Sequence, residues 1–195
     1  IRKYGKMIQQ NTEKLNGLIL ELLEFRRLET GHKALSIQRL PVSDKLRNIA
    51  ESFCELAENK NLNYQLDIEP DIEWNTDISC FNKIANNLIS NAFKYTPEEG
   101  TINVSLKTEN QHLTLSISNS GKGIAKENLL KIFDRYKILD SFEMNGKNSR
   151  NGLGLAICKS MTTLLNGEIN VSSIQNEVTT FIVTLLELSP SQQEA

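Results

Sequence analysis

Cysteine, proline, tryptophan and histidine are all scarce in this chain. The three cysteines, Cys54, Cys80 and Cys158, are far apart and odd in number, and none has the paired spacing of a zinc or redox site. Each falls in a segment that reads as helix, so they are expected to be small, buried apolar residues in a reducing, cytosolic compartment. An excess of either charge is missing too. Twenty-two Lys and Arg against 24 Asp and Glu leave a net charge of −2 and a pI near 5.8. Without a basic excess or stripe, no nucleic acid contact is expected. No apolar run approaches the roughly 18 residues of a membrane-spanning helix, and no signal segment opens the chain, so no membrane contact is expected either. Histidine occurs twice, as His32 and His112.

What is present suits a globular domain. The chain has 195 residues, 39% of them apolar and 24% charged, enough for one ordinary domain and a small extra element. It opens on Ile1, as expected of a piece of something longer. In residues 6 to 30, Leu15, Leu18, Leu22 and Phe25 step by three, four and three. Ile8 and Asn11 extend that register, and Ile19 and Leu23 widen it. Such a heptad stripe predicts a helix that packs lengthwise on other helices, with Gly31 as its stop. The alternative is a terminal helix folded onto its own domain.

From Leu35 the pattern is mixed. Leu35 and Ile37 predict a short strand before Pro41. Ser43 or Asp44 is a candidate cap for a helix running to about Lys60. Residues 62–68, 102–106, 113–117, 169–171 and 181–185 alternate as strands, while 78–95, 126–137 and 152–166 read as helices. Pro97 closes the long helix and Gly167 the last one. Irregular alternation with hairpin-like pairs predicts a mixed α/β sandwich rather than a doubly wound parallel sheet.

Six of the ten glycines lie between Gly121 and Gly167. Asn119-Ser120-Gly121-Lys122-Gly123-Ile124 comes directly off a strand, and Arg150-Asn151-Gly152-Leu153-Gly154-Leu155 opens a helix. Glycine there lets backbone approach a ligand, and a helix N-terminus offers unpaired N–H groups to phosphate. On the long helix, Asn87 and Asn91 are four apart and share a face with Lys94. Carboxamide oxygens suit one or two positions on a Mg²⁺ whose other ligands are phosphate and water. The chain has 21 asparagines, so a solvated polar face is the simpler explanation for the pair alone.

The order of these segments is more specific than any one of them. Asn87 to Pro97, Asn119 to Ile124, Phe133-Asp134-Arg135-Tyr136 and Gly152 to Ala156 resemble the N, G1, F and G2 boxes of the catalytic, ATP-binding domain of sensor histidine kinases. Asn16 to Glu29 resembles the second helix of that family's dimerisation and phosphotransfer hairpin, and the run Asn91-Ala92-Phe93-Lys94-Tyr95-Thr96-Pro97 looks most like hybrid kinases. The resemblance implies an α+β fold: a two-layer Bergerat sandwich over residues 34–188, preceded by a bundle helix in 1–33 and followed by a polar tail, 189–195. It implies ATP and Mg²⁺, with Asn91 on the metal and Asn87 supporting the phosphates. Lys94 and Tyr95 would line the nucleotide, Gly121 and Gly123 would make room for adenine beside Asn119 and Ile124, and Gly152, Leu153, Gly154 and Leu155 would carry phosphates. Phe133, Arg135 and Tyr136 would bind ATP just before a mobile lid over about 137–151, and Arg150 would either reach a phosphate or sit on a shorter lid. A second protomer through the bundle helix and a response-regulator receiver domain are the implied partners. The implied location is the cytoplasmic portion of an inner-membrane sensor.

Several positions depart from the family pattern. Asn119 stands where aspartate usually accepts the adenine amino group, and Arg150 where glycine is usual. Related ATPases carry a water-activating glutamate at the position of Asn87, which cannot act as a base. The phosphoacceptor histidine, with its acidic neighbour and following Arg-Thr-Pro, is absent, and His32 and His112 read as surface histidines. The expectation is a kinase domain that binds ATP and transfers phosphate to a histidine outside these residues, without labelling itself. A pseudokinase-like binding module, motivated by Asn119 and Arg150, and a Bergerat ATPase are the alternatives.

Overall fold

The computed structural model describes residues 2–31, 33–134 and 152–187. Helix α1 (Arg2–Glu29) leads through Gly31, at φ +67°, to β1 (Ile37–Pro41). Then come α2 (Val42–Glu51), α3 (Cys54–Asn59), β2 (Asn63–Ile68), β3 (Glu73–Asp77) and α4 (Ile78–Tyr95). The chain continues through β4 (Thr101–Glu109), β5 (His112–Ser120), α5 (Lys126–Leu129), α6 (Gly154–Leu164), β6 (Glu168–Ile174) and β7 (Val178–Leu186).

The main sheet has the order β2-β4-β5-β7-β6, with β2 parallel to β4 and the other pairs antiparallel. Strand alternation puts Ile102, Val104, Leu106, Leu113, Leu115, Ile117, Val183 and Leu185 on one face, where they are buried. The other face carries Asn103, Ser105, Thr114, Ser116, Ser118, Thr180 and Thr184, none of them buried. One apolar face needs one helical layer, which α4 and α6 supply through Phe81, Ile84, Leu88, Ile89, Ile157 and Met161. The expected two-layer α+β sandwich is the fold found. A small antiparallel pair, β1 with β3, sits apart from it.

Several local expectations need correction. Neither Ser43 nor Asp44 caps α2. The helix begins at Val42, and the buried Ser43 Oγ donates to Glu69 O and accepts from Ile72 N, which ties α2 to the β2–β3 connection. The expected single helix to Lys60 breaks at Ser52-Phe53, where Ser52 N and Phe53 N bond three residues back. That turn lets Phe53 stack on Phe93 of α4, with centroids 5.1 Å apart. Strand β3 leaves no clear signal in the sequence: its buried residues are Trp74, Thr76 and Asp77, one apolar and two polar, which gives no apolar alternation. Of the expected helix 126–137, Lys126–Leu129 is helical and residues 130–134 continue as turns that bring the neighbours Ile132 and Phe133 both toward the core, while 135–137 lie outside the described residues. Cys80 and Cys158 are buried as expected, but Cys54 is only half-buried at the start of α3.

The end of α6 gives its glycine a different role. Asn166, not Gly167, takes the left-handed turn after α6, at φ +54°. Gly167 is needed for proximity, since a Cβ there would lie 2.5 Å from Thr184 O. Asparagine also takes positive φ at Asn61, Asn110 and Asn176, which accounts for part of its abundance.

Candidate functional site

Helix α4 is built to stay put. Asp77 caps its N-terminus, accepting from Cys80 N at 2.9 Å. At the other end Ala92 O accepts from Thr96 N and from Thr96 Oγ1, and Phe93 O accepts from Lys60 Nζ at 2.7 Å. A cation on these last carbonyls matches the negative end of the helix dipole. Thr96 is extended and Pro97 follows, so the helix stops where the sequence indicated.

On the face toward α6, Asn87 meets the second glycine-rich segment. A Cβ on Gly154 would lie 3.5 Å from Asn87 Oδ1, so these two sites, 67 positions apart in sequence, are in contact across the α4–α6 seam. Among the described residues Asn87 Nδ2 is buried with no partner in hydrogen-bond geometry, its one weak polar neighbour being the Cys158 thiol. Beside it, α6 starts at Gly154 with Leu153 at its N-cap and no side-chain cap bond, so among the described residues no capping side chain takes up its first-turn N–H groups. Gly152 holds φ +60°. An orphaned amide donor and an uncapped helix N-terminus together are the donor set a phosphate requires. Asn91, one turn beyond Asn87, is half-buried. Its carboxamide oxygen fits a Mg²⁺ that takes its other ligands from phosphate and water. The seam beneath is apolar: burial pushes the Cys158 thiol up to about 12, against a smaller opposing pull from Asn87 and Lys83, so Cys158 packs as a neutral group.

At the C-terminal end of α4 the first glycine-rich segment closes in. A Cβ on Gly121 would lie 2.8 Å from Tyr95 O, which is why backbone alone fits there. Lys94 Nζ lies 5.1 Å from the centre of the Tyr95 ring, and Tyr95 is exposed at the rim. Gly121 N donates to Glu177 O, and Gly123, at φ +69°, would bring a Cβ to 2.8 Å from Ile174 O. The loop is thus laid on the β6–β7 turn. Ile124 N donates to Ser173 Oγ at 2.9 Å, and Ser173 Oγ in turn bonds Val178 O and Thr179 Oγ1. Asn119 is 7% exposed and its Nδ2 donates to Ser120 O at 3.0 Å, which leaves Oδ1 as its acceptor for a ligand.

Phe133 lies off this cleft, edge-on to Phe181 at 6.4 Å with Lys159 Nζ 5.7 Å from its centre. Arg135, Tyr136, Arg150 and the expected lid lie outside the described residues, as does His32. Sequence reasoning missed Ser173, Lys60 and Lys159, whose partners are distant in the chain and leave no local pattern. It also missed Asp77, although an aspartate before a long apolar-periodic run is a readable cap signal.

A mixed sheet under two helices, with an asparagine-bearing helix facing a glycine-opened helix N-terminus, defines an ATP-binding α/β sandwich of the histidine-kinase type. The chain belongs to the histidine kinase-, DNA gyrase B- and HSP90-like ATPase family, whose model matches residues 76–189, and within it to the sensor histidine kinase catalytic domains. Histidine kinase P4 of Formosa agariphila is 34% identical over 182 residues, 92% of this chain and 13% of that protein. The chain therefore spans a small part of that relative. Among solved structures, full-length ShkA in complex with AMPPNP superposes with a TM-score of 0.84 at 22% identity, covering 96% of this chain and 39% of that one. Histidine kinase ThkA in complex with response regulator protein TrrA gives 0.74 at 22% identity, covering 97% and 52%.

Proposed function

We propose that this chain binds Mg-ATP along the α4–α6 seam. It would deliver the γ-phosphoryl group to a histidine outside residues 1–195, for onward transfer to a response-regulator aspartate. What supports this most is the contact of Asn87 with Gly154, with a buried, partnerless amide donor and uncapped helix N–H groups at one point. In this reading Asn87 Nδ2 and the Gly152 to Leu155 segment that opens α6 donate to phosphate oxygens, and Arg150 would add charge. Lys94 neutralises charge toward the Tyr95 rim. Gly121, Gly123 and Ile124 shape the purine slot, where Asn119 Oδ1 accepts from the base amino group. Arg135 and Tyr136 would contribute to nucleotide binding in this reading, while Phe133 packs on Phe181 away from the slot. Asn91 would hold the Mg²⁺, which when bound supplies charge neutralisation at the transferring phosphoryl group.

Asn87 separates kinase from ATPase. Phosphoryl transfer needs position and charge neutralisation more than a base. A carboxamide cannot take a proton from water, so hydrolysis gains nothing from it. The bundle helix α1 would pair with a second protomer, and the receiver domain of a response regulator would be the downstream partner, as TrrA is bound to ThkA. The chain would form the cytoplasmic part of an inner-membrane sensor; none of the described helices is long and apolar enough to cross a membrane.

The test is incubation of the full-length protein with γ-labelled ATP and Mg²⁺. Acid-labile, base-stable label on a histidine is expected. Asn91→Ala should lower its rate on the order of a hundredfold or more, the loss that several kcal/mol of metal charge stabilisation implies. Phosphate released steadily into solution without protein label would revive the ATPase alternative.

A further inference from the structure

We infer that Asp77 is a positioning residue that ties the segment leaving α1 to the helix carrying the nucleotide site; this rests on ATP binding along α4. Asp77 is 4% exposed and stands where three elements meet: the end of β3, the start of α4 and, through pairing with Ile37, the start of β1. Its two oxygens are divided. Oδ1 accepts from Cys80 N at 2.9 Å and from Ser79 Oγ at 2.7 Å, which is the helix cap. Oδ2 accepts from Ser36 N at 2.8 Å, a residue 41 positions upstream.

A cap alone does not need that second bond. Serine, threonine or asparagine satisfies the first turn of a helix with one acceptor. The second oxygen instead extends the β1–β3 ladder by one bond after the chain has already turned away into α4. Lys33, in the same connecting segment, adds electrostatic attraction toward Asp77. Residues 33–37 are therefore held to the first turn of α4 by charge, by a charge-assisted hydrogen bond and by strand pairing. The link back to α1 is short, through Gly31 at φ +67°.

Helix α4 is also fixed at its far end by Lys60 and Thr96, so it responds as a rod. Displacing residues 33–36 removes a donor from Oδ2 and frees the start of α4 from that segment, while the Cys80 bond to Oδ1 remains. Asn87 and Asn91 lie on the same rod. Linkage makes the effect reciprocal: a nucleotide that favours the setting of α4 in which the Ser36–Asp77 contact is made also tightens that contact.

The experiment is NMR-detected amide exchange on residues 1–195, with and without Mg-AMPPNP, read at Ser36 and Cys80. In the unsubstituted chain, nucleotide should slow Ser36 exchange about fivefold or more, the lower range of site-to-site couplings. In Asp77→Asn, one oxygen remains for the Cys80 cap while an NH₂ faces Ser36. Cys80 should stay protected, nucleotide should still bind, and the nucleotide response at Ser36 should vanish. Ser36→Pro removes the donor and leaves the carboxylate, so the proposal holds independently of how Asp77→Asn folds. Its Mg-AMPPNP affinity should fall about fivefold with Cys80 still protected. A Ser36 amide indifferent to bound nucleotide, an unaltered response in Asp77→Asn, or full affinity in Ser36→Pro overturns the inference while leaving ATP binding intact. Failure of the unsubstituted chain to bind nucleotide overturns both.

Discussion

At Gly154 a Cβ would sit 3.5 Å from Asn87 Oδ1, an ordinary contact, whereas at Gly121 it would sit 2.8 Å from the Tyr95 carbonyl oxygen. The two positions read alike in sequence, each a glycine at an element junction, and only the fold separates them. Gly154→Ala should keep stability within about 0.5 kcal/mol, as for a substitution that disturbs no packing. It should nevertheless weaken nucleotide binding at least tenfold, because the methyl fills the approach to the Asn87 amide and the first turn of α6. Gly121→Ala should cost more than about 1 kcal/mol in urea unfolding, because backbone must move. Equal losses of stability in both variants would contradict the assignment of Gly154 to a ligand. Asn87 shows the same limit of sequence reading. Its spacing from Asn91 gave it a face, but a lone amide donor buried without a partner is visible only once α6 is packed against it.

Among the elements, α1 stands apart. Ile8, Leu15 and Leu22 follow one another at seven-residue spacing and are 65%, 57% and 41% exposed, while Leu28 near its end packs on the core. The heptad was legible because period alone reveals it, and the choice between folding back and standing clear was not. Among the described side chains of the helix, Leu28 is the one that packs on the core. Such a stripe in water favours association. Sedimentation velocity should show concentration-dependent self-association of residues 1–195, abolished by Leu15→Lys with Leu22→Lys and with no change in the unfolding midpoint of the sandwich. A chain that stays monomeric at about 100 μM, where a weak helical pair would still be populated, would contradict this. Elements with several alternating or heptad positions, such as β4, β5 and α4, were readable. Strand β3 and the α2–α3 break were not, because Trp74, Thr76 and Phe53 are placed by partners remote in sequence.

For the whole molecule, the sandwich follows from sheet strands with one apolar face and two helices to cover it. Its site follows from which helix ends that cover brings together. The boxed segments are recognisable in the sequence because three of the four combine glycine or proline with a chemical residue, and because their order constrains the fold. The supports are not: Asp77, Lys60 and Ser173 act through hydrogen bonds to residues 41, 33 and 49 positions away. The most direct measurement of the central claim is calorimetric titration of residues 1–195 with ATP, with and without Mg²⁺, beside Asn91→Ala. Micromolar to millimolar binding is expected, equivalent to about 4–8 kcal/mol, strengthened by Mg²⁺ in the unsubstituted chain and insensitive to Mg²⁺ in Asn91→Ala. No heat with Mg-ATP, or identical Mg²⁺ dependence in both proteins, would contradict it.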